Sequence, residues 1–386
     1  MSKIQEMIDR MCPEGVEFKK LEEVAKIMNG KDYKSFPKGD IPVYGTGGIM
    51  TYIDRFAYDK PSVLLPRKGS IDKIHYVSTP FWTVDTAYWT KINTEVIEPK
   101  YFYYFLSTID LTRMNTGTGS IPSLTQAVLN RIEIPVPPIE VQREIVKVLD
   151  NFSELTAELT AELTARRQQY EFYRDNLLNF NRGGSSEVEW KRLGDVMTIQ
   201  RGASPRPIQK YLTNDKDGVS WIKIGDVSPE SKYVFSTKEK ITKEGASKSR
   251  FLKKGSFILS NSMSFGRPYI LKIDGCIHDG WISMCDFQTH LNPDYLYHLL
   301  RSNSIQNHWL LKANDGGAVA NLNSDIVKDT LIPIPSPEEQ KRIVDILDRF
   351  NMLTTNISSG LPAEIAARQQ QYEYYRDKLL TFKRAA

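Results

Sequence analysis

Few residues in this sequence are spaced for covalent chemistry, and each such set has a structural explanation of its own. Tyr44-Gly45-Thr46-Gly47-Gly48 is the only passage like a cofactor-cradling glycine loop. No clear strand-loop-helix unit surrounds it, and no amide-Pro-Pro-aromatic tetrad occurs to hold a base for methyl transfer. Glu17-Phe18-Lys19 has the acid-x-lysine spacing of a metal-dependent nuclease, but it returns as Glu189-Trp190-Lys191 and so belongs to a repeated strand. The five histidines, including His75, His278 and His298, fall in no ligand pattern. Cys12, Cys276 and Cys285 are too scattered, and odd in number, for a disulfide framework or a zinc site; they read as reduced, mostly buried thiols. Catalysis must therefore come from a partner.

What the sequence does carry is residues suited to reading a polyanion, set in loops. In the first half Lys31, Tyr33 and Lys34 follow Gly30, and Arg67, Lys68 and Ser70 follow the apolar run Ser62-Val63-Leu64-Leu65. Thr118 and Ser120 lie in the loop from Gly117 to Pro122. In the second half Arg201, Ser204 and Arg206 surround Gly202, and Asn261, Ser262, Ser264 and Arg267 follow Phe257-Ile258-Leu259. Asn321 ends the glycine-rich run from Gly316. Arginine, lysine, asparagine and serine donate to phosphate oxygens and base edges, which makes these the candidate DNA-binding residues. The same types also make ordinary solvated turns. A net charge of +4 and a pI near 8.7 lean the right way without deciding between the two.

The elements that must position these loops are written twice. Ile134-Pro135-Val136-Pro137-Pro138-Ile139-Glu140-Val141-Gln142 returns as Ile332-Pro333-Ile334-Pro335-Ser336-Pro337-Glu338-Glu339-Gln340, an offset of 198. Arg166 to Phe180 returns as Arg368 to Phe382, an offset of 202. Val16 to Leu21 matches Val188 to Leu193, whereas the middles of the halves barely match. One scaffold used twice, with differing parts between, is the pattern of two heads that meet different ligands. Stability of a two-domain protein is the plainer reading.

The matched blocks read as helices. Ile145, Leu149, Phe152, Leu155, Leu159, Leu163, Tyr170, Tyr173, Leu177 and Phe180 draw a stripe at spacings mostly of three and four, and the obvious partner is its own copy. Ser336, Pro337 and Glu339 predict a capping box at the start of the second helix, and Gly360 with Pro362 predicts its interruption. The tandem Thr156-Ala157-Glu158-Leu159, Thr160-Ala161-Glu162-Leu163 is either a slipped duplication or a ruler that sets helix length. The intervening regions, with short apolar runs broken by glycine, proline and asparagine, read as mixed α/β domains.

With 386 residues there is room for two domains. We place an amino-terminal helix and first mixed domain at 1–137, a long helix at 138–182, a second mixed domain at 183–336 and a second long helix at 337–386. No apolar run approaches the roughly 20 residues that span a bilayer. The first residues lack a signal-peptide pattern, so the expected location is cytoplasmic.

Two variable domains, each followed by Pro-x-Pro-Pro-x-x-x-Gln-like segments and a helix ending in Gln-Gln-Tyr and Tyr-Arg-Asp, together with the Thr-Ala-Glu-Leu tandem, closely resemble the HsdS specificity subunits of type I restriction-modification systems. The resemblance spans essentially the whole chain. It implies an α+β fold: two target-recognition domains joined by two long antiparallel helices in a pseudo-twofold, circular plan. In that plan the amino-terminal helix stands where the end of the first long helix stands before the second domain. It also implies a non-catalytic subunit of bacterial or archaeal cytoplasm, each head reading one half of a split, asymmetric site in double-stranded DNA. Two modification subunits would carry S-adenosylmethionine, and restriction subunits would use ATP and Mg; this chain would hold no cofactor and no metal. Glu140, Gln142, Tyr170, Tyr173, Arg174, Glu338, Gln340, Tyr372, Tyr375 and Arg376 are then the candidates for docking the modification subunits. A stand-alone two-domain DNA-binding or scaffold protein is the alternative, and a complete methyltransferase the third reading.

Overall fold

The computed structural model describes residues 2–117, 120–180, 188–229, 231–262, 264–314, 321–355 and 360–385. The chain divides into two compact units, residues 1–158 with 366–386, and residues 159–365. Each unit therefore draws helix from both copies of the repeat. Among the described residues no helix is long and apolar enough to cross a membrane.

The first repeated block is one unbroken helix, Ile139–Leu177, of 39 residues. It has neither glycine nor proline and is rich in Leu, Glu, Ala, Arg and Gln, which favour helix. Its threonines are accommodated because their hydroxyls return to the carbonyl four residues back: Thr156 to Phe152 at 2.8 Å and Thr164 to Thr160 at 2.9 Å. The second block forms two helices, Pro337–Thr355 and Leu361–Leu379. Gly360 and Pro362 flank the restart, with Pro362 in the first turn where its missing N–H costs no hydrogen bond. Ser336 does cap the Pro337 helix by accepting from the Glu339 amide at 3.3 Å. The other half of the expected capping box gives way to an ion pair: the Glu339 carboxylate takes both Nε and Nη2 of Arg342 at 2.7 Å.

In unit 1 Phe152 stacks on Tyr375 with ring centroids 5.3 Å apart and planes at 25°. In unit 2 Phe350, the counterpart of Phe152, stacks on Tyr173, the counterpart of Tyr375, at 5.2 Å and 22°. Arg384, just past the end of Leu361–Leu379, meets Glu133, just ahead of the start of Ile139–Leu177, in unit 1, so the end of one helix lies toward the start of the other and the pair is antiparallel. Ile145, Leu149, Leu379 and Leu380 join the unit 1 core, and Tyr170, Leu178, Ile343 and Leu347 the unit 2 core. The place that the end of the first helix holds in unit 2 is thus held in unit 1 by the Leu361–Leu379 helix. This corrects the expectation for the amino-terminal helix Ser2–Met11, whose Ile4, Met7 and Ile8 join the same core as Leu379.

The heads share one sheet plan. Unit 1 has an antiparallel sheet in the order Ala25–Asn29, Ala87–Ile92, Ser62–Pro66, His75–Val77. Unit 2 has Thr198–Arg201, Trp281–Cys285, Phe257–Ser260, Pro268–Leu271 in the same order, with Tyr233–Val234 added at the edge. A second sheet in each contains a parallel pair, Ile41–Gly45 with Trp82–Thr83 and Val219–Ile222 with Gly275–Ile277. The repeated opening strands Phe18–Lys20 and Glu189–Arg192 pair with Glu133–Pro135 and Leu331–Ile334, the strands that lead into the long helices.

Helix and head are locked by a buried glutamine in each unit. Gln142 accepts from the Glu98 amide at 2.8 Å and donates to Val96 and Pro137 carbonyls at 3.1 and 2.7 Å. Gln340 repeats this with Asn292, His290 and Pro335 at 2.7, 3.0 and 3.0 Å. Beside each lock the scaffolds differ: Tyr104 donates to Asp150 at 2.6 Å, whereas His298 meets Asp348 through Nε2 at 2.8 Å. The Tyr170 hydroxyl completes the neutral His298 ring by meeting Nδ1 at 2.8 Å.

Two predictions follow from these contacts. Replacing Gln142 with leucine strands an amide and two carbonyls, and unfolding in urea should report a loss of about 2–4 kcal/mol; a loss below about 0.5 kcal/mol would remove the glutamine from the frame. Burial, opposed by the Asp348 hydrogen bond, holds His298 below its ordinary range. The unfolded chain therefore binds a proton near about pH 6.5 that the folded one refuses, so this contribution to stability is full above that pH and is lost as pH falls below it. Hydrogen-exchange protection, taken relative to the intrinsic rate at each pH, should fall in Phe257–Ser260 on acidification more than in Ser62–Pro66. His298→Tyr, which copies Tyr104, should reduce that difference.

Candidate nucleic-acid interface

In unit 1 the candidate loops gather at one end of the four-stranded sheet, where Asn29 faces Tyr88 and Pro66 faces Ala87. The Lys31 amide donates to Thr83 at 2.9 Å, and the Arg67 and Lys68 amides donate to Thr86 at 2.9 and 3.1 Å. Thr46 donates to the Lys68 carbonyl at 3.1 Å, and the His75 ring meets the Thr46 carbonyl at 3.2 Å. Lys68 also bridges to Ser123, and the Gly69 amide donates to Pro122 at 3.0 Å. The loops are thus stitched together by main-chain hydrogen bonds, with the Thr46 hydroxyl and the His75 ring tying in the Thr46 loop. They present Lys31, Lys34, Lys68, Ser70 and Ser120 as exposed groups. Among the described residues the ammonium groups of Lys31, Lys34 and Lys68 have no ion-pair partner. Thr118 lies outside the described residues. Tyr33 is half-buried against the Val43, Ile53 and Val84 cluster, so its ring serves packing rather than an open contact surface.

Unit 2 repeats the stitching with other side chains. A Cβ on Gly30 would lie 2.0 Å from the Val84 carbonyl oxygen, and one on Gly202 2.0 Å from that of His278. Both glycines are there because strand and loop touch, and the contacts equate Val84 with His278 and Asp85 with Asp279. The Asn261 amide donates to Gly280 as that of Arg67 does to Thr86, and Leu322 donates to the Asn261 carbonyl as Leu124 does to that of Arg67. Arg67 and Asn261 therefore occupy one position. Even their side chains act alike: Arg67 Nη1 donates to the Asp85 carbonyl and Asn261 Nδ2 to that of Asp279, each at 3.1 Å.

Asp279 is the hub of this second surface. Its carbonyl also takes Arg201 Nε at 3.0 Å, and its carboxylate takes the Ser204 hydroxyl at 2.9 Å and Arg206 Nη2 at 3.3 Å. The Ser204 hydrogen bond first, with His278 and Arg206 helping, holds this carboxyl below the usual carboxylate range. Burial depresses His278, so its 3.7 Å approach to Asp279 joins a neutral ring to a carboxylate and is no ion pair near neutrality. Arg201, Arg206 and Asn321 are exposed, while Ser262, Ser264 and Arg267 are half-buried. Arg267 Nη1 donates to the Pro229 carbonyl at 2.7 Å. Asn261 is 5% exposed with its amide nitrogen bound internally, which makes it a frame residue and corrects its assignment as a direct DNA contact.

The docking candidates on the helices divide in the same way. Gln142 and Gln340 are buried locks, Tyr170 is buried against His298, and Arg174, 4% exposed, is held by Asp175 and Asn303. These four are corrected: their polar groups are spent inside the chain. Tyr173 and Tyr375 form the interhelix stacks, and Tyr372 is half-buried in the unit 1 core. Glu140 and Glu338 remain exposed, and half-buried Arg376 pairs with Asp377 at 2.7 Å.

Sequence reasoning missed Asp279 and two exposed aromatics, Phe172 and Tyr374, which are 64% and 60% accessible. The aromatic pair carried a signal: Phe172 and Tyr374 match at the offset of 202 yet lie beside the apolar stripe rather than in it. Among the described residues no group of three or more His, Cys, Asp or Glu is placed to hold a metal.

Comparison with known proteins bears on both units. The sequence profile described as type I restriction modification DNA specificity domain matches residues 13–166 and 185–367. A Haemophilus influenzae protein provisionally named a type I restriction enzyme specificity subunit is 33% identical over 95% of this chain and 96% of its own length. A type I restriction enzyme specificity subunit of Escherichia coli is 35% identical over 73% of this chain and 70% of its own. In fold, the chain is similar to a structure described in terms of complex assembly and conformational transition of the type I R-M system, with TM-score 0.65, 16% identity and coverage of 95% and 97%. It is likewise similar to the type I restriction-modification S subunit of M. genitalium, with TM-score 0.57, 15% identity and coverage of 95% and 96%. Two profile matches that take up most of the sequence, and relatives aligned along nearly all of it, establish that the chain belongs to the type I restriction modification DNA specificity family.

Proposed function

We propose that this chain reads a split, asymmetric site in double-stranded DNA, one half with each unit, for a type I restriction-modification complex whose catalytic groups reside on other subunits. The observation that carries the reading is the shared frame. Equivalent loops are tied by equivalent main-chain hydrogen bonds, yet they offer Lys31, Lys34 and Lys68 in one head and Arg201, Ser204 and Arg206 in the other. Exposed lysines suit phosphates, which position a reader. Arg201, Arg206, Arg267, Ser70, Ser120, Ser262, Ser264 and Asn321 suit base edges, which specify. Support for docking of two modification subunits comes from Glu140 and Glu338 and from the exposed Phe172 and Tyr374, pairs at matched places on the two helical repeats, with Arg376 on the second repeat alone. Those subunits would bring S-adenosylmethionine, and a restriction subunit would bring ATP and Mg.

Coexpression with the modification subunits encoded in the same genome, followed by purification and single-molecule methylation mapping, tests this directly. Two modification subunits per chain and one bipartite methylated site are expected; recovery of the chain alone would favour a stand-alone DNA-binding or scaffold protein. Replacing Arg201 and Arg206 together with alanine should relax one half-site by about 1–3 kcal/mol per lost base contact and leave the other half intact. Equal loss at both halves would refute a separate reader in each unit.

The Thr-Ala-Glu-Leu tandem acts, in this reading, as the ruler. One more copy of Thr160 to Leu163 adds roughly 6 Å of helix at about 1.5 Å per residue, against about 3.4 Å per base pair. Methylation mapping of that insertion should return the same half-sites with the spacer widened by about one to two base pairs, and an unchanged spacer would reject the ruler.

A further inference from the structure

Gly47 and Gly225 hold the same place in two segments that share no other residue, Tyr44-Gly45-Thr46-Gly47-Gly48 and Ile222-Lys223-Ile224-Gly225-Asp226. The parallel strand pairs set the correspondence, with Tyr44 opposite Thr83 in unit 1 and Ile222 opposite Ile277 in unit 2. The next residue of each partner strand then bonds back: Val84 donates to the Tyr44 carbonyl at 2.9 Å and His278 to that of Ile222 at 3.5 Å. Three positions on from Tyr44 and from Ile222 stand the two glycines.

The fold does not require either of them. Glycine is needed where φ is positive or where a Cβ would collide. Gly48 has φ of 118°, and a Cβ on Gly45 would lie 2.6 Å from the Met50 sulfur, so those neighbours are explained. An ideal Cβ on Gly47 or Gly225 has no heavy atom within 4 Å, and neither residue has φ in the left-handed range. Both are exposed. Both also sit beside the candidate surface of their own unit. Thr46 is fastened to the Lys68 carbonyl at 3.1 Å, and a Cβ on Gly280, next to Asp279, would lie 3.3 Å from Ile224 Cδ1. Bare main chain thus adjoins the segment fastened to Lys68 in one head and the segment of Asp279, which holds Arg206, in the other.

We infer that Gly47 and Gly225 are close-approach points, where the sugar-phosphate backbone of duplex DNA runs against main chain that no side chain covers. The inference rests on the proposed role of these loops in DNA reading, and it adds two residues that charge and hydrogen-bonding capacity could not reveal. A side chain there would keep the duplex at a distance and lengthen the neighbouring phosphate contacts, without disturbing the protein itself.

The test uses the full chain carrying Gly47→Ala, Gly47→Val, Gly225→Ala or Gly225→Val, with Lys68→Ala and Arg206→Ala as reference variants. Each is titrated with a fluorescent random-sequence DNA duplex at low salt, and its melting temperature is measured in parallel. The alanine variants should melt at or slightly above the parent temperature, because alanine narrows the unfolded ensemble. DNA affinity should fall in both series, by about tenfold for valine and less for alanine. Valine variants that bind within about twofold of the parent, while Lys68→Ala and Arg206→Ala weaken, would overturn the inference alone. A drop in melting temperature alongside the lost binding would overturn it too, by returning the glycines to the fold. If the lysine and arginine variants also bind like the parent, the DNA-facing reading of the loops falls with it.

Discussion

The stacks of Phe152 on Tyr375 and of Phe350 on Tyr173 express the constraint on which both units depend. Each repeat carries a phenylalanine near the start of its helical block and a tyrosine near the end, and each ring needs an apolar neighbour. In the first repeat both lie on one continuous helix, Ile139–Leu177, where 21 residues at about 1.5 Å put them roughly 30 Å apart. Phe152 cannot reach Tyr173, so the partner has to come from the other copy. The second copy supplies Phe350 from Pro337–Thr355 to unit 2 and Tyr375 from Leu361–Leu379 to unit 1, so it meets the first in both units. Duplication of the sequence is thus converted into exchange of helices, and neither half of the chain supplies a whole unit.

Given that seam, the heads divide into a frame that is repeated and a surface that is not. The frame consists of groups whose loss would leave buried main chain unpaired: the glutamine locks, the glycine contacts at Gly30 and Gly202, and the amides that tie Arg67 and Asn261 to equivalent strands. A stranded buried partner costs about 1–3 kcal/mol, so such groups tolerate little change. Side chains that leave the frame for solvent bear no such cost and are free to differ, as Lys31 and Lys68 differ from Ala203 and Ser262. Where the frame itself varies, the replacement keeps the bond: Tyr104 and His298 are unlike in chemistry, yet both hold the aspartate at the matching place on the helix.

Most of this plan was legible in the sequence because repetition and apolar spacing are local signals. The match of Val16 to Leu21 with Val188 to Leu193 located the strands that open each head, the offset of 198 those that close it, and the stripe from Ile145 to Phe180 located the seam. What the sequence did not convey was the direction in which polar residues of the repeated blocks point. Gln142 and Arg174 look like surface groups on an amphipathic helix, yet their partners Glu98 and Asn303 lie 44 and 129 residues away. Asp279 escaped notice for the same reason, since its contacts with Ser204 and Arg206 span 75 and 73 residues. A polar residue recurring at matched places between apolar neighbours, as Gln142 and Gln340 do, was the available sign of a buried role.

The same logic accounts for how unit 1 closes. In unit 2 the chain runs covalently from Phe180 at the end of the long helix to Val188 at the opening strand. Their counterparts in unit 1, Phe382 and Val16, are joined instead by hydrogen bonds: Val16 donates to the Lys383 carbonyl at 2.8 Å, and Ala385 donates to that of Val16 at 2.9 Å. Gly15 permits this, since its φ is 107° and a Cβ there would lie 2.8 Å from Arg384 main chain. Ser2–Met11 then packs Ile4 into the same core, adding apolar contact at the one junction that lacks a peptide bond. Unit 2 needs no such reinforcement, because the chain itself holds its junction. The amino-terminal helix is accordingly an asymmetric element of a scaffold that is otherwise written twice.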